Sequence, residues 1–338
     1  MDARGGSPAV AVEEEPQSDA WRGDRTVLVT GASGFVGIHT CRELARRGWR
    51  VRALVRDSAR AARRLASVRV QIVVGDLRDT TALASALRGA DAVVHLAAIA
   101  IERPGQSYES VNADATVGLI DAARSAGVGR MVHMSQNGAA SDSPYRFLRS
   151  KGIAEDRVRE SGLAWTVFRP SVIFGPEDEF VNVLGRLVRL SPIIYPLPGG
   201  GTARFQPVDV DDVARAIGVV LDRPDSEGDT FGLGGPEALT LRQMVRRVLM
   251  AMETSRILVG VPVPLLRPLV AVAQRALPNP PVTTSLLELL EIDNTISGPP
   301  PWPALDISPT PFTPRHIAYL KRIDAGEAIR SMLGRSRR

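Results

Sequence analysis

The sequence predicts an α/β fold: a doubly wound parallel sheet with helices on both faces, followed by a smaller C-terminal lobe. Three observations carry that expectation. Short apolar runs alternate with helical segments from residue 25 to residue 175, the pattern of parallel strands joined by crossover helices. A glycine-rich turn sits at the first strand-to-helix junction. Beyond Arg169-Pro170 the rhythm changes, with proline and glycine dense over 192–201.

The elements follow in order. Residues 1–24 are polar and acidic, with Glu13, Glu14 and Glu15 in a row, and read as a flexible tail without a secretory signal. The first strand is expected at 26–30, where a continuous apolar run fits burial on both faces. A helix over 35–47 is closed by Gly48. Further strands are expected at 51–55, 70–74, 92–96, 130–134 and 165–168. Between them lie a short helix with Asp57 or Ser58 as cap and a helix opened by Asp79 and Thr80. Helices over 108–125 and 148–160 follow. These make a nucleotide-binding type of domain over 25–175. The stretch 176–338 is expected to form a smaller lobe with returning sheet elements. It holds a strand at 205–208, a helix at 211–221, a strand at 230–233, a helix capped by Thr240, an irregular Pro-rich stretch over 278–314 and a terminal helix over 315–333.

Composition narrows the function. The 338-residue chain is 44% apolar with a net charge of +5, so a sizeable core is available and global disorder is excluded. Only Lys151 and Lys321 are lysines; the remaining positive charge is arginine, as in a GC-rich genome. The arginines are scattered among acids, which describes a solvated surface and not a nucleic-acid face. The single cysteine, Cys41, excludes a disulfide framework and a cysteine metal cluster. His39, His95, His133 and His316 lack ligand spacing, so no metal is expected. A reducing, cytoplasmic compartment is the expectation. No apolar run is long enough to span a bilayer. Residues 262–277 are rich in Val, Leu and Ala with Arg267 and Arg275. They fit a buried helix or a subunit contact, with a position on a membrane surface as the alternative.

The strongest motif is Thr30-Gly31-Ala32-Ser33-Gly34-Phe35-Val36-Gly37. Gly31 permits the tight turn, Gly34 lets a pyrophosphate approach the backbone, and Gly37 lets the helix pack close to the sheet. The helix N-terminus then offers unpaired N–H groups to the phosphates. This is the arrangement of a Rossmann-type dinucleotide site.

The spacing T-G-x-x-G-x-x-G resembles that of the extended and atypical short-chain dehydrogenase/reductases. Further matches follow in order: Gly75-Asp76-Leu77, His95-Leu96-Ala97-Ala98, Asn112, and Arg169-Pro170-Ser171-Val172 continuing to Gly175-Pro176. The resemblance implies that Asp76 and Leu77 lie by the adenine, that Leu96, Ala97 and Ala98 pass the centre of the cofactor, and that Pro170 and Val172 lie near the nicotinamide. Asn112 matches the family's structural asparagine and is counted with the cofactor site. The segments Gly175–Phe180, Gln206–Ala214, Leu233–Pro236 and Asp293-Asn294 resemble a narrower branch. It contains the short-chain-dehydrogenase-like accessory subunit of respiratory complex I and its bacterial relatives.

Arg56 stands just past the second strand, where NADP-selective sites pair a ribose 2′-phosphate. NADP(H) is therefore favoured. NAD(H) stays open through Asp57, which is either the discriminator or a helix cap. Active members of the family carry a Tyr-x-x-x-Lys pair. Lys151 fits the lysine, which holds the nicotinamide ribose, but four residues before it stands Phe147. Tyr145 is six positions before Lys151, about 600° round a helix instead of about 400°, and reaches the site only from a loop. Ser135 and Asn137 are the candidates for the hydroxyl position, with Ser135 also against the cofactor; Asn137 donates hydrogen bonds but cannot do acid–base work. The cofactor site reads as intact and the proton relay as broken. The expected function is thus NADPH binding in a structural or sensing role with weak or absent reductase chemistry, with attachment to a redox assembly at the inner face of a membrane as a further expectation. The alternative is an NADP-dependent oxidoreductase or epimerase/dehydratase on a nucleotide sugar, quinone or isoprenoid.

Overall fold

The run Thr26–Thr30 is buried at every position and forms β1, an interior strand of a seven-stranded parallel sheet. The computed structural model describes residues 24–333; the tail expected over 1–24 lies, apart from Asp24, outside the described residues. The other strands are β2 (Arg50–Val55), β3 (Gln71–Val74), β4 (Ala92–His95), β5 (Arg130–Met134), β6 (Ala164–Pro170) and β7 (Asp229–Leu233). Their spatial order is β3-β2-β1-β4-β5-β6-β7. β1 pairs β2 on one side (Val27 opposite Val51) and β4 on the other (Val27 opposite Ala92). The chain therefore reverses its direction of winding between β1 and β4, which leaves a crevice at their C-terminal ends where such sheets bind ligands.

Strand alternation assigns the two faces. Val27, Val29, Val51 and Ala53 point towards α1 (Phe35–Arg46) through Ile38, Cys41 and Leu44. Leu28, Leu54, Val93 and Met131 point the other way, where α3 (Thr80–Leu87) contributes Leu83 and Leu87 and α4 (Ala115–Ser125) contributes Leu119 and Ala123. α2 (Ser58–Arg64) follows β2, and α5 (Arg146–Arg159) follows β5. Elements beyond residue 175 finish the same layers. α7 (Val210–Leu221) packs beside α1 through Val213, Ile217 and Val220, β7 adds the edge strand, and Trp302 and Leu305 cover that face.

A second core gathers around Phe174, Phe205, Met244 and Phe312. It is walled by α6 (Val181–Leu190) and α8 (Leu241–Ala251), beside the parallel ribbon of Ile194–Pro198 with Ile257–Val261.

Four expectations are corrected. The helix over 108–125 opens with a π-helical turn, Glu109–Asp114, before α4. The strand at 205–208 is two short strands, Arg204–Phe205 and Val208–Asp209, that pair different partners; Pro207 between them has no N–H for a ladder. The stretch 278–314 contains α10 (Thr284–Leu289), whose N-terminus Thr283 caps by accepting from Leu286 N. The terminal helix breaks into Ala318–Arg322 and α11 (Ala325–Met332) at Ile323, whose backbone is extended (φ −72°, ψ 116°) and whose carbonyl accepts from Arg189 Nε at 2.7 Å. The expectation of a buried helix over 262–277 also fails. α9 (Val263–Ala276) buries only Val263, while Leu265, Leu269 and Val272 are 69%, 67% and 65% exposed.

Candidate functional site

The crevice is floored by the glycine turn. Gly31 has φ +70°, and a Cβ there would lie 2.8 Å from the Ala97 nitrogen. A Cβ on Gly37 would lie 2.2 Å from the Gly31 carbonyl oxygen. Both positions exclude a side chain, one by conformation and both by space. Gly34 N closes the turn onto Gly31 O at 2.9 Å, leaving Ala32 buried and Ser33 half-buried.

The decisive feature is the start of α1. Its N-cap, Gly34, offers no side-chain cap, and its first turn holds no acid. The sequence is not short of caps elsewhere: Asp57, Asp79 and Asp209 accept from N–H groups at the starts of α2, α3 and α7. An uncapped N-terminus with partial positive charge, open through glycine, fits a diphosphate. Phe35, Val36, Arg56 and Ala98 carry the surface from this turn into a cleft of about 950 Å³.

The segment after β3, where the resemblance expects adenine, is polar. Asp76 pairs with Arg78 at 2.9 Å, and that hydrogen bond, with help from Arg56, holds its carboxyl below the ordinary range. Leu77 packs onto the sheet core beside it. Asp57 accepts from Arg60 N at 2.9 Å and is thereby occupied as the cap of α2, whereas Arg56 is exposed at the cleft.

On the other wall, Leu96 and Ala97 run against the glycine turn. A directed chain of hydrogen bonds starts there. Ala97 N donates to Thr30 Oγ1 (3.4 Å), and Thr30 Oγ1 pairs with His95 Nδ1 (2.7 Å). His95 Nε2 pairs with Thr116 Oγ1 (2.9 Å), whose proton goes to the Asn112 carbonyl (2.7 Å). Because Thr116 spends its proton on a carbonyl, His95 donates from Nε2. Burial, aided by Lys151, pushes its pKa down to about 3. Asn112 clasps two segments: Oδ1 accepts from Ile99 N (2.9 Å) and Nδ2 donates to Ser150 Oγ (3.1 Å). It sits inside the π-helical turn and fixes the loop after β4 against the residue preceding Lys151.

Lys151 is buried, with Nζ donating to Met134 O at 2.5 Å. Desolvation lowers its pKa to about 8, opposed by the neighbouring carboxylate of Glu155. Glu155, one turn further along α5, is fully buried and collects Ser135 Oγ (2.7 Å), Arg169 Nε (3.0 Å to each oxygen) and Arg159. The Ser135 hydroxyl is thereby directed to Glu155. Asn137 lines the cleft, yet its Nδ2 donates to Asn294 Oδ1 (2.9 Å) and Thr295 O (3.1 Å). Pro170 is buried and its carbonyl accepts from Asn137 N at 3.0 Å, while Val172 faces the cleft.

Phe147 is on the cleft wall, on the same α5 as Lys151. Tyr145 is the N-cap of α5, half-buried, and is not among the cleft-lining residues. Tyr108 is on the wall instead, a residue that sequence reasoning missed. Its ring meets Phe147 edge-on at 5.6 Å, and its hydroxyl donates to Ala100 O (2.9 Å) with Ser285 of α10 also in reach. Burial raises its pKa. Glu155 was findable, since it stands four residues after Lys151. Tyr108 carried no such signal, because only the folded chain brings it to Phe147. Among the described residues no group of three or more His, Cys, Asp or Glu is arranged to hold a metal.

A family model described as NAD(P)H-binding matches residues 31–187. The chain is 34% identical over 222 residues to mitochondrial NADH dehydrogenase (ubiquinone) 1 alpha subcomplex subunit 9 of Arabidopsis thaliana, covering 64% of this chain and 55% of that one. It is 32% identical over 214 residues to the NAD(P)H azoreductase of Xenophilus azovorans, covering 63% and 69%. The chain thus spans little more than half the length of the plant relative. Among solved structures, gox2253 superposes with a TM-score of 0.68 at 26% identity, over 93% of this chain and 100% of the other.

Proposed function

Because the chain belongs to the NAD(P)H-binding family of atypical short-chain dehydrogenase/reductases, we propose that it holds NADPH as a structural or sensing element, with the usual carbonyl-reductase relay absent. The observation that carries this reading is the pairing of an intact cradle with Phe147 at the acid position. The uncapped α1 and the glycine turn fit the diphosphate, and Arg56 fits a 2′-phosphate, since Asp57 is used as a cap; the family resemblance gives Lys151 to the ribose. A bound nicotinamide supplies hydride. Around it, Phe147 has no proton to give, Ser135 is turned to Glu155, and Asn137 to Asn294. The likeness to a complex I subunit and to an azoreductase supports a place near redox chemistry.

The test is a titration of the full chain with NADPH and with NADH, followed by energy transfer from its tryptophans. NADPH is expected to bind the tighter of the two and to keep its signal when quinones or nucleotide sugars are added. An Arg56→Asp variant should weaken NADPH by roughly 10- to 100-fold, the equivalent of about 1.5–3 kcal/mol for a charged hydrogen bond. No binding of either nucleotide would sink the reading.

One observation favours a second reading, an NADP-dependent oxidoreductase or epimerase. Tyr108 brings a phenol to the wall beside Phe147. If turnover of any carbonyl substrate is found, Tyr108→Phe should reduce it by roughly 10²–10⁴-fold, the usual worth of a general acid. An unchanged rate would remove Tyr108 from the chemistry.

A further inference from the structure

α9 is a helix of 14 residues whose apolar stripe faces outward. Leu265, Leu269 and Val272 recur at spacings of four and three, so they share one face. The opposite side is already occupied by α10, held by Arg267 on Glu288 (2.9 Å) and by Thr284 N on Gln274 Oε1 (3.1 Å). The ribbon leading into α9 is exposed in the same way. Ile193 (66%), Ile194, Ile257 and Val259 all stand in solvent, and the strand Ile257–Val261 enters α9 through Pro262. Isolated exposed apolar residues are ordinary; an apolar stripe along one helix face, preceded in the chain by a ribbon with the same exposure, marks an interaction surface.

We infer that α9 and this ribbon are a docking surface for an anionic lipid bilayer. The charge pattern favours lipid. α9 contains no acid; Arg267 is engaged by Glu288, and Arg275 is exposed at its C-terminal end. The exposed face is wholly aliphatic, whereas protein interfaces are anchored by Trp, Tyr and Arg. The length also fits. A 14-residue helix extends about 21 Å, enough to lie in the headgroup region and short of the roughly 30 Å needed to span the hydrocarbon. Continuity with the cleft gives the surface a use. Gln274 and Leu277, where α9 ends, line the cleft, and Leu286, Leu289 and Leu290 extend its apolar wall. A chain lying on lipid through α9 holds the mouth of the cleft at the lipid surface.

The experiment is co-sedimentation of the full chain with vesicles of phosphatidylcholine containing phosphatidylglycerol, and with phosphatidylcholine alone. Wild type is expected on the anionic vesicles and at least tenfold less on the neutral ones. The Leu265→Asp/Leu269→Asp variant should lose that binding at least tenfold while keeping its nucleotide titration and thermal midpoint. Arg275→Glu should weaken anionic binding and leave neutral binding alone. Absence of wild-type binding to anionic vesicles, or undiminished binding by the double variant, overturns the inference. So does a concentration-dependent dimer that the double variant dissociates in the absence of vesicle binding, since a second copy would then be the occupant. Vesicle binding without nucleotide binding would fail the cofactor reading and leave this one standing.

Discussion

Lys151 shows how much one residue reports. A lysine with a solvated ammonium keeps its proton to about pH 10.5; burial on α5 lowers that to about 8. Between those values the unfolded chain binds a proton that the folded chain does not. The sign follows: stability rises with pH across that window and carries a penalty below pH 8. In the nucleotide-free protein, Lys151→Met should flatten the rise in urea midpoint between pH 8 and 10; an unchanged slope would mean the ammonium is solvated after all. Lysine 151 was legible because lysine is so rare in this chain and because its Ser150-Lys151 context matches the family. The fate of Ser135 was not, because its partner Glu155 lies 20 residues away and meets it only across the sheet end.

At the scale of elements, local chemistry decides whether a segment stands alone. α8 begins with a reciprocal capping box: Thr240 Oγ1 accepts from Gln243 N (3.1 Å), and Gln243 Oε1 accepts from Thr240 N (2.8 Å). Thr240→Ala should cost about 1 kcal/mol in chemical denaturation, and a loss near zero would show that packing of Met244 and Val248 alone holds the helix. The same local logic made the strands of the sheet and most helix starts readable from the sequence. It failed where a distant group overrides the ladder. The last helix is broken at Ile323, whose carbonyl accepts from Arg189, 134 residues away. The π-helical turn at Glu109–Asp114 places Asn112 between Ile99 and Ser150, a demand invisible in the sequence spacing. α9 was read correctly as apolar, and of the settings weighed for it the structure excludes burial within the chain, since periodicity names a face without naming its neighbour.

Across the whole molecule, two buried imidazoles set the response to acid. His95 and His133 stand side by side on β4 and β5 with ring centroids 5.3 Å apart. Desolvation, with Lys151 adding to it, depresses both, and neither ring nitrogen of His133 has a hydrogen-bond partner. Both therefore fold neutral, while the unfolded chain protonates them near pH 6.5. Stability should fall as pH drops from 6.5 towards 3, and His133→Leu should shallow that fall when urea midpoints are compared at pH 7 and pH 5. Equal pH dependence in the variant would assign acid sensitivity to the carboxylates instead.

The last part of the chain is also what closes the first. The Asn294 side-chain oxygen accepts from Asn137, and its backbone carbonyl accepts from Ser171. Trp302 Nε1 reaches the Gly234 carbonyl at 2.7 Å, and Phe312 packs edge-on against Phe174. During synthesis the strands of the sheet leave the ribosome long before these residues do. The nascent protein must wait with the ends of β5, β6 and β7 uncovered until residues 294–312 arrive. That interval, not the assembly of the sheet, is when the growing chain most needs shielding from its neighbours.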